Sequence, residues 1–308
     1  MEKIMLFLIG TILLAGSPAF SDEVDQGLSL MANEQLRAST RSLIRVGVNS
    51  GEAIRMTRLM LQNRFTQQQM LRAHQILLDA QKEGLPWQPI MEKAQEGMAK
   101  QVGEGKILQA MEQVHARYAY TYEQANQFTQ NREQTRQIAH NMAKGLEAGL
   151  TQKEMAQIMN TLQIRTREMT RTQRAELAEE TFKTSRDMAR LGLSSKAAAD
   201  LVCQALQNRF TAREMATMRN SFTSQSRSTA PNQLAQNFSN ALRSGKGADS
   251  LGSMGSGAGG PGGGGGQGGP SGSGGMMGGD GGGGFMGGGP GGAGGGGGPS
   301  GGGGGGHH

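Results

Sequence analysis

The sequence is short of cysteine, and the shortage excludes a disulfide-stabilised fold. Cys203 is the only cysteine among 308 residues, so the chain cannot form an internal disulfide. If this segment is a helix, the residues on the same face as Cys203 are Ala199, Val202 and Leu206, which are apolar. That surrounding predicts a buried thiol rather than a nucleophile.

Histidine is also scarce, and no catalytic motif replaces it. Of the five histidines, His74, His115 and His140 fall on separate predicted helices and none stands at metal-ligand spacing from another. The sequence has no nucleophile elbow, phosphate-binding loop or HExxH motif. We therefore predict a protein that is not an enzyme and that has no cofactor and no metal site.

The one continuous apolar run lies at the N-terminus. It extends from Ile4 to Leu14, too short to span a bilayer comfortably, and Pro18 follows it. Small residues then precede Asp22 where a signal peptidase would read them. We predict a signal peptide at residues 1–21 and an extracytoplasmic mature protein, either periplasmic or secreted.

The hexapeptide LQNRFT occurs twice, at residues 61–66 and 206–211. The match extends without a gap over about 47–91 and 192–236. It aligns Met70 with Met215 and Pro86 with Pro231. A match of this length predicts a duplicated helical unit.

Helix signals recur around this duplication. A threonine that is followed three residues later by Glu or Gln, as in a capping box, precedes three apolar runs. These pairs are Thr66 and Gln69, Thr151 and Glu154, and Thr211 and Glu214. We predict an all-α domain of stacked helical hairpins over residues 22–244, because one hairpin cannot bury its own apolar stripe.

Three further expectations concern particular segments of this domain. Residues 22–28 are predicted to be a loose acidic lead-in. Apolar residues keep helical spacing over 104–148, although 129–136 are polar on nearly all sides, so a helix there either projects into solvent or bends. Ser50 is predicted to cap the first helix of the duplicated unit.

The composition changes at Ser244. Of the 51 glycines, 39 lie from Gly245 onward, and such a chain has almost nothing apolar to bury. We predict that residues 245–308 form a disordered tail. It ends in His307 and His308, which make a poor metal site by themselves.

Net charge indicates the kind of partner. The chain carries +6, and the region between the predicted signal and tail carries about +7. Outside the cytoplasm this charge favours an envelope protein, an anionic lipid or an acidic polysaccharide over nucleic acid. Arg37, Arg41 and Arg45 recur every four residues on one predicted helix and are candidates for contact with an anionic partner. The alternative interpretation is a solvated helix face.

Methionine is abundant, with 20 residues. Pairs such as Met56 and Met60, Met155 and Met159, or Met215 and Met218 lie one helical turn apart. Thioethers could bind copper, but the same positions alternate with Leu and Ile as core positions do. A third interpretation is an adaptable methionine-lined groove for partner helices.

The segment GLPWQPIMEKAQEGMAK, at residues 84–100, resembles a recurring pattern in uncharacterised bacterial exported proteins with a signal peptide, helical repeats and a low-complexity tail. The later units depart from it, because Gly149-Leu150-Thr151 and Gly192-Leu193-Ser194 lack the proline. The resemblance implies an exported helical-repeat protein. It implies no activity, and no functional residue is transferred.

Three hypotheses follow. The leading one is an exported, non-enzymatic helical scaffold that binds a partner of the cell envelope. The second is a secreted matrix or adhesive protein that acts through its glycine-rich tail. The third is an extracytoplasmic metal binder that uses methionine or the terminal histidines.

Overall fold

The structure is a computed structural model that describes residues 19–28 and 32–252; for residues 19–22 it describes the backbone alone. The described residues form helices and no strand, so the all-α prediction is confirmed. The helices are α1 (Ala19–Leu28), α2 (Glu34–Arg45), α3 (Ser50–Gln62), α4 (Gln67–Lys82), α5 (Gln88–Ala99), α6 (Glu104–Ala125), α7 (Arg132–Glu147), α8 (Gln152–Arg165), α9 (Arg171–Arg190), α10 (Ser195–Gln207), α11 (Ala212–Gln225), α12 (Pro231–Arg243) and α13 (Ala248–Gly252). No helix in this part of the chain is long and apolar enough to span a membrane.

Alternate helices pack on each other. In the first half, one series of packed helices is α1, α3 and α5, and the other is α2, α4 and α6. In the second half, one series is α8, α10 and α12, and the other is α7, α9, α11 and α13. The consecutive helices α6 and α7 join the halves by packing directly along each other. The helices therefore bury much of their apolar surface against helices that are not adjacent in sequence, although α5 also packs on α6.

A short connection of one type separates many of these helices. Its first residue has a positive φ and ends a helix, at Gly47, Gly84, Gly149, Gly192 and Gly245. The next residue donates its backbone N–H to the carbonyl five residues earlier, as Leu85 does to Ala80 (2.8 Å). This is the Schellman arrangement, which satisfies carbonyls that the helix end leaves free.

The second residue of the connection is apolar and buried in most cases. Val48, Leu85, Leu150 and Leu193 follow glycines, and each is at most 5% exposed. The third residue often caps the next helix through its side chain, as Asn49 does by accepting from Glu52 N–H. One tripeptide thus stops a helix, anchors the turn in the core and starts the next helix.

Capping follows the sequence closely. Thr66 with Gln69 and Thr211 with Glu214 form complete capping boxes. Thr151 accepts from Glu154 N–H without the reciprocal bond. A fourth cap, which sequence analysis did not single out, is the complete box of Thr170 and Gln173. The cap of α3 is Asn49 rather than the predicted Ser50, which is the first helical residue.

The two LQNRFT segments have equivalent structures. Each ends a helix at an arginine with positive φ, 61° at Arg64 and 62° at Arg209. Phe65 and Phe210 follow and are 5% and 3% exposed. In the same register α2 to α5 align with α9 to α12, and α13 aligns with the start of α6.

Three segments differ from the sequence expectations. Residues 22–28 belong to α1, where Val24 and Leu28 are buried, so this lead-in is not loose. Helix α13 lies within the predicted tail; Leu251 is buried, and Gln225 of α11 donates to its carbonyl (2.6 Å). The stretch 104–148 is two helices, because Asn131 caps a new one. Residues 1–18 and 253–308, which hold most of the predicted signal and tail, lie outside the described residues.

Glycine substitutions test the connections. Gly149 has φ +108°, and a Cβ added there meets no atom within 4 Å. Gly149→Ala should therefore destabilise the protein by about 1–2 kcal/mol through backbone strain alone. Gly105 in α6 also has open space around a new Cβ. Gly105→Ala should raise stability by about 0.5–1 kcal/mol, since its backbone is helical.

Urea denaturation of both variants measures the difference. Equal effects of the two substitutions would contradict the role assigned to the positive-φ glycine.

Candidate functional site

The candidate site is a groove beside the α6–α7 junction. Because α7 packs along α6, a groove of about 770 Å³ remains between the start of α5 and the outward faces of α7 and α9. This volume is in the range of ligand pockets. Its lining comprises Gln81, Gly84, Leu85, Pro86, Trp87, Gln88, Pro89, Glu92, Tyr122, Arg136, Gln137, His140, Asn141, Lys144, Glu179 and Lys183.

One wall is apolar and comes from the connection between α4 and α5. Leu85 and Trp87 are 5% and 8% exposed, and between them lies Pro86. Pro89 lies in the first turn of α5, where a missing N–H costs no helical bond. Trp87 is therefore mainly a packing residue, and it presents only a small part of its surface to the groove.

The other wall is a polar stripe on α7. Gln137, His140, Asn141 and Lys144 have the i, i+3, i+4, i+7 spacing that places side chains on one helix face. The opposite side of α7 holds Ile138 and Met142, which are fully buried. The helix is thus fixed by its core face, and its polar stripe is held toward the groove.

Asn141 is the most constrained polar residue of this stripe. It is 6% exposed, and its Oδ1 accepts a hydrogen bond from the Arg186 guanidinium on α9 (2.5 Å). A guanidinium only donates, so the Asn141 Nδ2 amino group must point the other way. That amino group has no hydrogen-bond partner among the described residues.

His140 is the next polar residue of the stripe. Its Nδ1 lies 3.2 Å from the Tyr118 hydroxyl, and Tyr118 is 2% exposed. Burial raises the pKa of Tyr118, so the phenol stays protonated, and it can donate to Nδ1 or accept from it. Desolvation, and then the cations Lys144, Arg186 and Arg190, lower the pKa of His140.

Charge is distributed unequally between the walls. Lys144 pairs with Glu147 (2.8 Å) and Lys183 with Glu180 (3.4 Å) at the polar wall. Glu92 lies on α5, across the groove, and has no salt-bridge partner among the described residues. The arrangement offers hydrogen-bond donors on α7 and a carboxylate on α5, which suits binding of a polar ligand. No nucleophile–base pair is formed by the described lining residues.

Two of the three arginines in the predicted stripe pair with carboxylates of the fold. Asp25 of α1 lies 3.7 Å from Arg37 and 2.6 Å from Arg41, and Arg41 also binds Glu34 (2.8 Å). Arg45 is exposed in the last turn of α2. Two of the three arginines thus fix α1 to α2. Sequence analysis missed this because it placed Asp25 in a loose segment.

The paired methionines and the cysteine lie in the core. The six methionines singled out above are at most 5% exposed, and Cys203 is 4% exposed. Burial raises the pKa of the Cys203 thiol, and Thr161 donates to its sulfur (3.4 Å). Within residues 19–28 and 32–252 no three His, Cys, Asp or Glu side chains are grouped to hold a metal ion. His307 and His308 lie outside that part of the chain.

His74 forms a separate buried polar cluster that joins α2, α3 and α4. Its Nδ1 lies 2.9 Å from Ser39 Oγ and its Nε2 3.1 Å from Thr57 Oγ1. The Thr57 hydroxyl already donates to Ala53 O (2.9 Å), so it accepts from Nε2–H and Ser39 donates to Nδ1. The fully buried imidazole is neutral and has both nitrogens satisfied.

In the register that aligns Phe65 with Phe210, His74 aligns with Arg219. In the second unit the guanidinium of Arg219 forms ion pairs with Glu180 (3.3 Å) and Asp187 (3.5 Å). The two units therefore use different polar contacts at the same place in the fold.

Acidification tests the His74 cluster. Burial lowers the pKa of His74 from 6.5 to about 4, so between those values the unfolded chain binds a proton that the folded chain does not. The stabilisation is complete above pH 6.5 and is lost as the pH falls toward 4. Lowering the pH from 7.5 to 4.5 should therefore reduce the free energy of unfolding by about 2–3 kcal/mol through His74.

The side chain in His74→Gln cannot titrate. Measured by urea denaturation, the free energy of unfolding of this variant should fall by about 2–3 kcal/mol less than that of the unchanged protein between pH 7.5 and 4.5. His115→Gln is the control, because His115 is partly exposed and its Nε2 lies 3.1 Å from a carboxylate oxygen of Glu83. An unchanged pH dependence in His74→Gln would contradict the assignment.

Comparisons with known proteins returned no match to a family model, a curated protein or a solved structure. The interpretation of the groove therefore depends on its own geometry.

Proposed function

We propose that this protein is an exported, non-enzymatic helical scaffold that binds a partner of the cell envelope in the groove between α5 and α7. The observation that carries the proposal is the amino group of Asn141, a residue of the groove lining, which has no hydrogen-bond partner among the described residues. This amino group is not among the fully buried side-chain atoms, so it is open to a ligand in the groove. A polar ligand could therefore accept a hydrogen bond from it.

Export is proposed from the sequence of residues 1–21. Cleavage before Asp22 would remove the first three residues of α1 and keep Val24 and Leu28, which are buried. It would also keep Asp25, the partner of Arg41. The mature chain would thus retain the contacts that hold α1 in place.

A binding role suits the described chemistry better than metal capture by the paired methionines, because those thioethers are buried in the core. The matrix hypothesis depends on the tail, which lies outside the described residues. Deleting residues 253–308 distinguishes binding in the groove from action through the tail. The deletion begins after α13, because α13 packs on α11 and belongs to the helical domain. Partner binding should survive that deletion if the groove is the site.

Site-specific photocrosslinking tests the groove directly. A benzophenone amino acid replaces Gln137, an exposed groove residue, in the full-length chain expressed in its own organism. Irradiation should give a discrete adduct in the envelope fraction, because a bound partner would lie within reach of the α7 stripe.

The matched control carries the same amino acid at Lys153, an exposed position on α8 outside the groove. Adducts of equal yield at both positions, or none at Gln137, would refute a partner in the groove.

A further inference from the structure

A second pocket lies where the connection between α6 and α7 meets the start of α9. Residues 126–131 and Gln134 line one side of it, and Arg171, Thr172 and Arg174 line the other. Its volume of about 410 Å³ is in the range of small-molecule pockets. It shares no lining residue with the groove between α5 and α7, so the two sites are separate.

The charged residues that line this pocket are both arginines, and neither has a counter-ion. Arg171 and Arg174 lie three residues apart at the start of α9, a spacing that makes them neighbours on one helix face. Among the described residues neither guanidinium forms an ion pair or a hydrogen bond. Glu133, close to the pocket in sequence, is paired with Arg136 (3.2 Å), and Glu168 is exposed and pairs with neither arginine. This uncompensated positive charge favours an anion in the pocket.

Arg174 is held in the wall of the pocket. The residue is only partly exposed, and its Nε is enclosed without a hydrogen-bond partner. Its two Nη groups are not among the enclosed atoms and have no partner among the described residues, so they remain open. A guanidinium has only donors, and its planar fork matches two oxygens of one anion. Arg174 therefore presents donors that suit an oxyanion.

The opposite side of the pocket also presents donors. Oδ1 of Asn131 accepts from two backbone N–H groups in the first turn of α7 (3.0 and 3.1 Å). Because those groups only donate, Nδ2 of Asn131 points away from them. Oε1 of Gln134 accepts from the Thr129 hydroxyl (2.7 Å). The amino groups of both amides have no partner among the described residues, and no carboxylate is among the residues that line the pocket.

We propose that this pocket binds a phosphate group, whose oxygens accept from Arg171 and Arg174 on one side and from the amino group of Asn131 on the other. Two unpaired guanidiniums match the charge of nearly −2 that a phosphate monoester carries at about pH 7, whereas a carboxylate carries a single charge. The inference does not depend on the proposed function, since it concerns a different part of the surface.

Isothermal titration calorimetry of the full-length protein with inorganic phosphate at low salt tests the pocket. Binding should saturate at one site, and Arg174→Gln should weaken it about tenfold, because a hydrogen bond between charged groups is lost. Arg213→Gln is the matched control. Arg213 is an exposed arginine in the first turn of α11, outside the pocket, and its removal should leave the affinity within about twofold. Absence of saturable binding, or equal weakening by the two substitutions, would overturn the proposal.

Asn131→Asp separates binding from stability. Asp caps a helix about as well as Asn does, so the free energy of unfolding of this variant in urea should not fall. The substitution places a carboxylate oxygen where the amino group was, and repulsion should weaken phosphate binding about tenfold or more. Asn49→Asp, the same change at the cap of α3, should leave the affinity within about twofold. Unchanged phosphate binding by Asn131→Asp would contradict the assignment.

Further titrations identify the source of the phosphate group. Binding of glycerol 3-phosphate, without binding of vesicles that contain phosphatidylglycerol, would assign the pocket to a soluble phosphate ester. Vesicle binding that Asn131→Asp abolishes would assign it to a lipid headgroup. Acetate that binds as tightly as phosphate would overturn the choice of phosphate. The crosslinks at Gln137 report on the groove alone, so failure of either proposal leaves the other intact.

Discussion

The burial of one apolar side chain in most of the inter-helix connections is the constraint on which the rest of the fold depends. A positive-φ residue ends the helix, and the residue after it, such as Leu85 or Phe210, is inserted into the core. The insertion fixes where the next helix begins, and the cap that follows fixes its first turn. The same device recurs along the chain, and alternate helices pack on each other.

The junction between α6 and α7 departs from this device, and the groove is a consequence. Its connection has no glycine; Phe128 is buried instead and packs edge-on against Phe182, with ring centroids 5.9 Å apart. Tyr122 contacts both of the buried apolar clusters that make up the core. The polar stripe of α7 borders the groove, where Asn141 is bonded to Arg186 of α9 and His140 to Tyr118 of α6.

The sequence predicted the elements that local rules determine. Thr66 and Thr211 were identified as caps because a capping box involves only four consecutive residues. The break before α7 was harder to identify, since residues 129–136 contain no glycine or proline, and its signal was a single phenylalanine in a polar run. Helix α1 was missed because its stability depends on distant contacts, among them the bonds of Arg41 to Asp25.

The candidate site was only partly predictable for a related reason. The spacing of Gln137, His140, Asn141 and Lys144 is visible in the sequence, but a solvated helix face has the same pattern. What distinguishes the two is the burial of Asn141 and the orientation imposed by Arg186, which lies on another helix. The arginines of α2 show the same limit, since Arg37 and Arg41 pair with Asp25 of α1, whereas Arg45 is exposed, and contact with an anionic partner stays a prediction.

The different polar groups at positions 74 and 219 bear on how a duplicated chain avoids misassembly. Units that share one helical arrangement can exchange equivalent helices during folding, and repeat proteins are prone to such domain swapping. If α11 occupied the place of α4, Arg219 would be buried beside Ser39 and Thr57 with neither of its carboxylates. An unpaired buried cation is costly, so this exchange is penalised while correct pairing is not. The divergence of one interior position thus gives each half an identity that its shared hexapeptide does not provide.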